Sequence, residues 1–187
     1  MKKFYIFDMD GTLCDSMEVW RAETVMIKDF RDRKALEPIY ERMREHYRND
    51  IKLKDGALEF IRAAGSAGVK MCIASATNRN VSQPFLDKTG IMEYMEFYID
   101  CYEIHAFKER PDIYLKAAER LGADISECVV FEDAEYCINT AKSAGFYVIG
   151  VYDVVAEREG EPRKKCDRFI ENWRGSAASD ILSSLNR

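Results

Sequence analysis

The chain has 187 residues, a net charge of −5 and 47% hydrophobic residues. That length suits one domain, or one domain with a small appendage, and buries about 70% of the unfolded surface. The acidic balance argues against nucleic acid or an anionic membrane as partner, and no apolar run approaches the ~20 residues of a membrane span. The four-residue apolar run behind Lys2 and Lys3 is too short for a signal peptide. The six cysteines (Cys14, Cys72, Cys101, Cys128, Cys137, Cys166) form no C-x-x-C pair. They read as reduced thiols of a cytoplasmic protein, and no structural zinc site is expected.

In chain order, short apolar runs alternate with helical patterns. The expected strands are 4–7, 69–74, 96–100, 128–131, 146–151 and 168–171. Runs such as Cys128-Val129-Val130-Phe131 are apolar throughout, as strands covered on both faces are. The expected helices between them are 56–67, 80–88, 111–121, 134–144 and 176–185. Pro111 suits a first helical position, and Gly122 and Gly145 suit C-terminal caps. This alternation predicts an α/β fold, a Rossmann-like doubly wound parallel sheet.

Residues 16–55 break the pattern, because they carry no strand signal. Residues 36–47 place Leu36, Ile39, Tyr40, Met43 and Tyr47 at helical spacing, and 17–30 carry Met17, Trp20, Val25, Met26, Ile27 and Phe30. The expectation is a small inserted helical hairpin at 16–55 on a core made of 1–15 and 56–187. Its apolar stripes read as packing, and eight basic and eight acidic side chains over 16–50 make no steering patch. Residues 156–166, highly charged and broken by Gly160 and Pro162, read as a mobile surface loop.

The chemistry concentrates where strands end. The first strand runs into Asp8-Met9-Asp10-Gly11-Thr12, two carboxylates at i and i+2 followed by glycine. Like charges about 4 Å apart repel by about 4 kcal/mol at an effective dielectric near 20, so a cation or a chemical role is expected there. A strand-terminating Asp-Gly turn would account for the pair alone. It does not account for Ser75-Ala76-Thr77 after 69–74 and Glu132-Asp133 after 128–131, since ligands bind an open α/β sheet outside the carboxyl ends of its strands. An EF-hand loop starting at Asp8 is excluded, because its glycine position would be Leu13 and its last ligand Val19.

These segments resemble the four motifs of the haloacid dehalogenase superfamily, in order and spacing. Asp8-x-Asp10-Gly11-Thr12 matches motif I and Met71-Cys72-Ile73-Ala74-Ser75 matches motif II. Lys108-Glu109-Arg110-Pro111-Asp112-Ile113-Tyr114 matches the Lys motif, with Glu109 where a proline is usual, and Val129-Val130-Phe131-Glu132-Asp133 matches the acidic motif. The overall pattern looks most like the β-phosphoglucomutase and phosphoglycolate phosphatase group, with 16–55 as a shortened helical cap.

The resemblance implies Asp8 as nucleophile and Asp10 as general acid/base. It implies Ser75, Ala76, Lys108 and Gly11 as phosphate-binding positions, and Mg²⁺ held by Asp8, the backbone carbonyl of Asp10, and Asp133, with Glu132 acting directly, through water, or as partner to Lys108. The implied activity is a Mg²⁺-dependent phosphatase that hydrolyses a small phosphorylated metabolite through an aspartyl-phosphate. The chain is expected as a monomer or weak homodimer. A sugar-phosphate mutase is the nearest alternative, but the Gly-x-Ser-Arg type stretch expected of its cap is missing. A receiver-type protein would need a Lys after the fifth strand, where Gly150-Val151-Tyr152 stand. His46, His105, Asn78, Arg79 and Cys14 are read as structural, and Asp15 and Ser16 as the start of the cap helix.

Overall fold

The computed structural model describes residues 2–25 and 33–174, together with Asp180, Ile181 and Ser183. Six strands, β1 (Phe4–Phe7), β2 (Lys70–Ser75), β3 (Phe97–Asp100), β4 (Cys128–Glu132), β5 (Tyr147–Val151) and β6 (Arg168–Ile170), form one sheet of order β3-β2-β1-β4-β5-β6. Every neighbouring pair is parallel. Each expected strand is present, with ends shifted by no more than a residue.

Alternation along the strands divides the interior into two layers. Tyr5, Phe7, Met71, Ile73, Val129 and Phe131 face one side of the sheet, and Ile6, Cys72, Ala74, Cys128, Val130 and Val148 face the other. Residues i and i+2 of a strand share a face, so each run must be apolar at both parities to be covered twice. On the first side lie Phe60 and Ile61 of α3 (Ala57–Ser66) and Val81 and Phe85 of α4 (Arg79–Thr89). On the second lie Ile113 and Tyr114 of α5 (Asp112–Leu121) and Ile138 and Ala141 of α6 (Glu135–Ser143). Asn78 caps α4 by accepting from the Asn80 amide at 2.9 Å, and Gly122 ends α5 at φ 68°. All six cysteines are free thiols.

Between β1 and α3 stand two more helices. The α1 helix (Met17–Thr24) buries none of its residues. The α2 helix (Arg33–Asn49) is longer than the expected 36–47 and passes through Pro38. Its stripe Leu36, Ile39, Met43 and Tyr47 belongs to the main core cluster, and it packs along α4. Met26, Ile27 and Phe30 lie outside the described residues, as does most of the helix expected at 176–185. The two stems of this segment meet: the Asp15 amide donates to the Lys52 carbonyl at 3.1 Å and the Lys54 amide to the Leu13 carbonyl at 2.8 Å.

The loop expected at 156–166 is instead two short helices, α7 (Val154–Glu159) and α8 (Pro162–Lys165). The reason lies just upstream, where the Asp153 carboxylate accepts from the Val155 and Ala156 amides at 2.9 and 3.3 Å and caps α7. Gly160 is the extended break between them. Among the described residues no helix is long and apolar enough to cross a membrane.

Candidate active site

The strand order reverses between β1 and β4, and the functional residues gather outside the carboxyl ends of those two strands. Asp8 follows β1, Glu132 ends β4 and Asp133 follows it, and all three are buried. One carboxylate oxygen from each lies within 4.8 Å of the others. Gly11 makes the approach possible. It adopts φ 84°, and a Cβ there would collide with Asp133 Oδ2 and come within 2.8 Å of Met17 Cγ.

Lys108 is the cation of this cluster. It arrives from the loop before α5, is 2% exposed, and donates to Asp8 Oδ1 and, at 2.6 Å, to Glu132 Oε1. Glu109 in place of the usual proline therefore leaves Lys108 delivered to the rim. Tyr114, in the first turn of α5, donates to the same Glu132 oxygen at 2.7 Å. Burial alone would lower the Lys108 pKa, but the carboxylates of Asp8 and Glu132 outweigh it and hold the ammonium well above its ordinary range. The carboxylates are also raised, which favours their neutral forms instead of their charged ones. Burial and then Glu132 push Asp8 up, and burial, Asp8 and Glu132 push Asp133 up. One ammonium cannot neutralise three buried carboxylates.

Asp10 is built differently. Its side chain is half-buried, and hydroxyl groups surround it. Ser16 donates to Oδ1 at 2.6 Å, Thr77 donates to Oδ2 at 2.7 Å, and Tyr47 of α2 donates to Oδ1. Ser16, read from the sequence as a helix start, does precede α1, but its hydroxyl caps nothing and goes to Asp10. The Cys14 thiol donates to the Met9 carbonyl at 3.4 Å and makes longer contacts to Ser16 at 3.5 Å and Asp10 at 3.8 Å, and burial raises it well above the usual range, which disfavours the thiolate.

Ser75 ends β2 fully buried, and its oxygen accepts from the Thr77 amide at 3.0 Å. Ala76 beside it is exposed at the rim. Asp100, at the end of β3, braces the same edge by accepting from the amides of Arg79, Tyr102 and Glu103, each at 2.9 Å. Behind the loop from Asp8 to Thr12, Trp173 packs at tilted angles among Phe7, Phe60 and Phe131 and donates to the Thr12 carbonyl at 3.1 Å, while the Thr12 hydroxyl donates to Asp133 at 3.3 Å. The histidines stay outside. His46 bonds to Asp50 and Glu23 on the helical segment, and His105 is exposed at φ 55°.

The haloacid dehalogenase-like hydrolase model matches residues 26–145. The chain belongs to that family. It is 27% identical over 81% of its length to Protein SUPPRESSOR OF QUENCHING 1, chloroplastic, of Arabidopsis thaliana, and that match spans 18% of the plant protein. It is 28% identical over 43% of its length to fructose-1-phosphate phosphatase YqaB of Escherichia coli, again spanning 43% of that relative. The fold is similar to that of a family IA, variant 3 hydrolase from Entamoeba histolytica, with a TM-score of 0.75 and 24% identity over 99% of this chain and 100% of the other.

Proposed function

We propose that the chain is a Mg²⁺-dependent phosphatase that acts on a small phosphorylated metabolite through an aspartyl-phosphate. The observation that carries this reading is Lys108 donating at once to Asp8 and Glu132 beside Asp133. Three buried carboxylates around one ammonium leave a net negative hollow, which a hard dication with oxygen ligands fits. Asp8, Asp133 and the Asp10 backbone carbonyl are its proposed ligands, with Glu132 turned to Lys108. When bound, the ion supplies positive charge against the phosphoryl oxygens.

Lys108 holds Asp8 Oδ1, so the attack is assigned to Oδ2. The Oδ2–phosphorus bond forms as the bond from phosphorus to the leaving oxygen breaks, and Asp10 passes a proton to that oxygen. Asp10, now a carboxylate, then takes a proton from water, the water oxygen bonds to phosphorus, and the bond to Asp8 breaks, which releases phosphate, frees the Asp8 carboxylate and returns Asp10 to its acid form. Ser75, the exposed Ala76 and the backbone after Asp8 line the proposed phosphoryl pocket, and Lys108 supplies a point charge. Residues 16–55 act as the cap over the 1–15 and 56–187 core. The first test is phosphate release from an aryl phosphate with Mg²⁺, compared between the wild type and Asp8→Asn. A variant that keeps its fold and loses turnover is expected; hydrolysis retained by Asp8→Asn would overturn the assignment.

A further inference from the structure

The last member of the α2 apolar stripe does more than pack. Tyr47 is 0% exposed and lies in the main core cluster, with its ring 6.1 Å from that of Phe85 on α4. Its hydroxyl nevertheless points out of the cluster, donating to Asp10 Oδ1 and accepting from the Trp20 Nε1 of α1 at 3.0 Å. A buried phenol is expensive unless its hydroxyl is satisfied, and here the partners are one indole and one active-site carboxylate.

From this geometry we infer that Tyr47 is a positioning residue for Asp10, supplied by the helical segment. This rests on the reading of Asp10 as the proton carrier. Oδ1 takes two short hydroxyl contacts, from Tyr47 and Ser16, while Oδ2 takes one, from Thr77. A carboxylate oxygen offers about two lone-pair sites, so Oδ1 is filled and Oδ2 keeps capacity for the transferable proton. Ser16 and Thr77 come from loops, whereas Tyr47 stands on a helix packed along α4. Tyr47 therefore ties the Asp10 rotamer to the rigid part of the fold, and Trp20 fixes the phenol in turn. In this arrangement the helical segment completes the proton-transfer geometry as well as covering the rim.

Leaving-group dependence tests this. The 4-nitrophenolate departs from its phosphate ester without a proton, whereas phenolate gains from one. Tyr47→Phe is expected to lower kcat/KM about tenfold on phenyl phosphate and less than about twofold on 4-nitrophenyl phosphate. Trp20→Phe is expected to act in the same sense and more weakly. In an Asp10→Ala background, Tyr47→Phe is expected to cost nothing further on 4-nitrophenyl phosphate. Equal losses on both esters, or no loss on either, would overturn the inference while phosphatase activity stood. Wild type, Tyr47→Phe, Asp10→Ala and the variant carrying both changes are also melted. A double-variant shift smaller than the sum of the single shifts supports the contact, and additive shifts count against it. Failure of the wild type to release phosphate from either ester would fault the phosphatase reading, and the melting cycle would still judge the Tyr47–Asp10 contact.

Discussion

Asp8 and Asp10 lie two residues apart in one loop, yet they occupy opposite electrostatic settings. Asp8 shares a buried hollow with Glu132 and Asp133, with a single ammonium between them, and both Asp8 and Asp133 are pushed up toward the protonated form. Asp10 is half-buried and receives three neutral hydroxyl donors, from Ser16, Tyr47 and Thr77. The first setting is short of positive charge and suits a cation and an anionic substrate. The second has no such deficit and suits a group that must gain and lose a proton in place. In a strand, positions i and i+2 would share a face; here β1 ends at Phe7 and the chain turns at Gly11, φ 84°, so the loop geometry sends the two carboxylates to different neighbours.

Substitutions can break that division. The largest effect is expected at Asp8→Asn, where an amide cannot form the acyl-phosphate. Turnover should fall by at least about 10⁴-fold with an unchanged circular dichroism spectrum. Next is Lys108→Met, which removes the shared cation and leaves the carboxylates of Asp8 and Glu132 buried without it. A loss of about 3–5 kcal/mol in denaturant unfolding, measured in chelator, is expected. The same substitution near Asp10 has no analogue, because its donors are neutral.

Metal addition sharpens the contrast from the other side. Mg²⁺ at about 100 times its Kd should stabilise the wild type by about 2.7 kcal/mol in thermal unfolding. Asp133→Asn should abolish most of that gain, while it raises the melting temperature in chelator because one of three crowded charges is gone. If Asp133→Asn lowered the chelated melting temperature as Lys108→Met does, the charge-deficit account of the cluster would be wrong.

The smallest effect concerns the tether of the Asp10 side. Hydrogen bonding to Asp50, and then to Glu23 against a lowering from partial burial, raises the His46 pKa. A raised folded pKa means stability that is fully present below the unfolded value of 6.5 and lost as pH rises through the folded value. Because His46 is half-exposed, the contribution should be only about 0.5 kcal/mol after solvent screening. The stability difference between wild type and His46→Gln should therefore be greatest on the acid side and vanish at alkaline pH.

The strands were readable because each is a short run apolar at both parities and bounded by polar or glycine residues, a pattern that Cys128-Val129-Val130-Phe131 carries without outside help. The charged cluster was readable because its members each end or follow such a run, and because the motif order matches a family. The contacts that Ser16, Tyr47, Thr77, Tyr114 and Trp173 make at the site were not. Tyr47 sits in a stripe of helical period, and the same spacing describes a residue that only packs. Its contact with Asp10 spans 37 positions and that of Thr77 spans 67, so no local pattern records either. The segment 156–166 was misread because composition outweighed one capping aspartate at 153, outside the charged stretch.

Local sequence thus determined the α/β alternation, the parallel sheet and the carboxylates at its rim, since all of these follow from hydrophobic period and from which residue comes next after a strand. Only the tertiary structure decided how the charges are divided: that Lys108 bridges Asp8 and Glu132, and that a tyrosine from the helical segment holds Asp10. Those partners are chosen by packing α2 on α4 and β1 between β2 and β4, and distances across a packed interior are not written in any window of the chain.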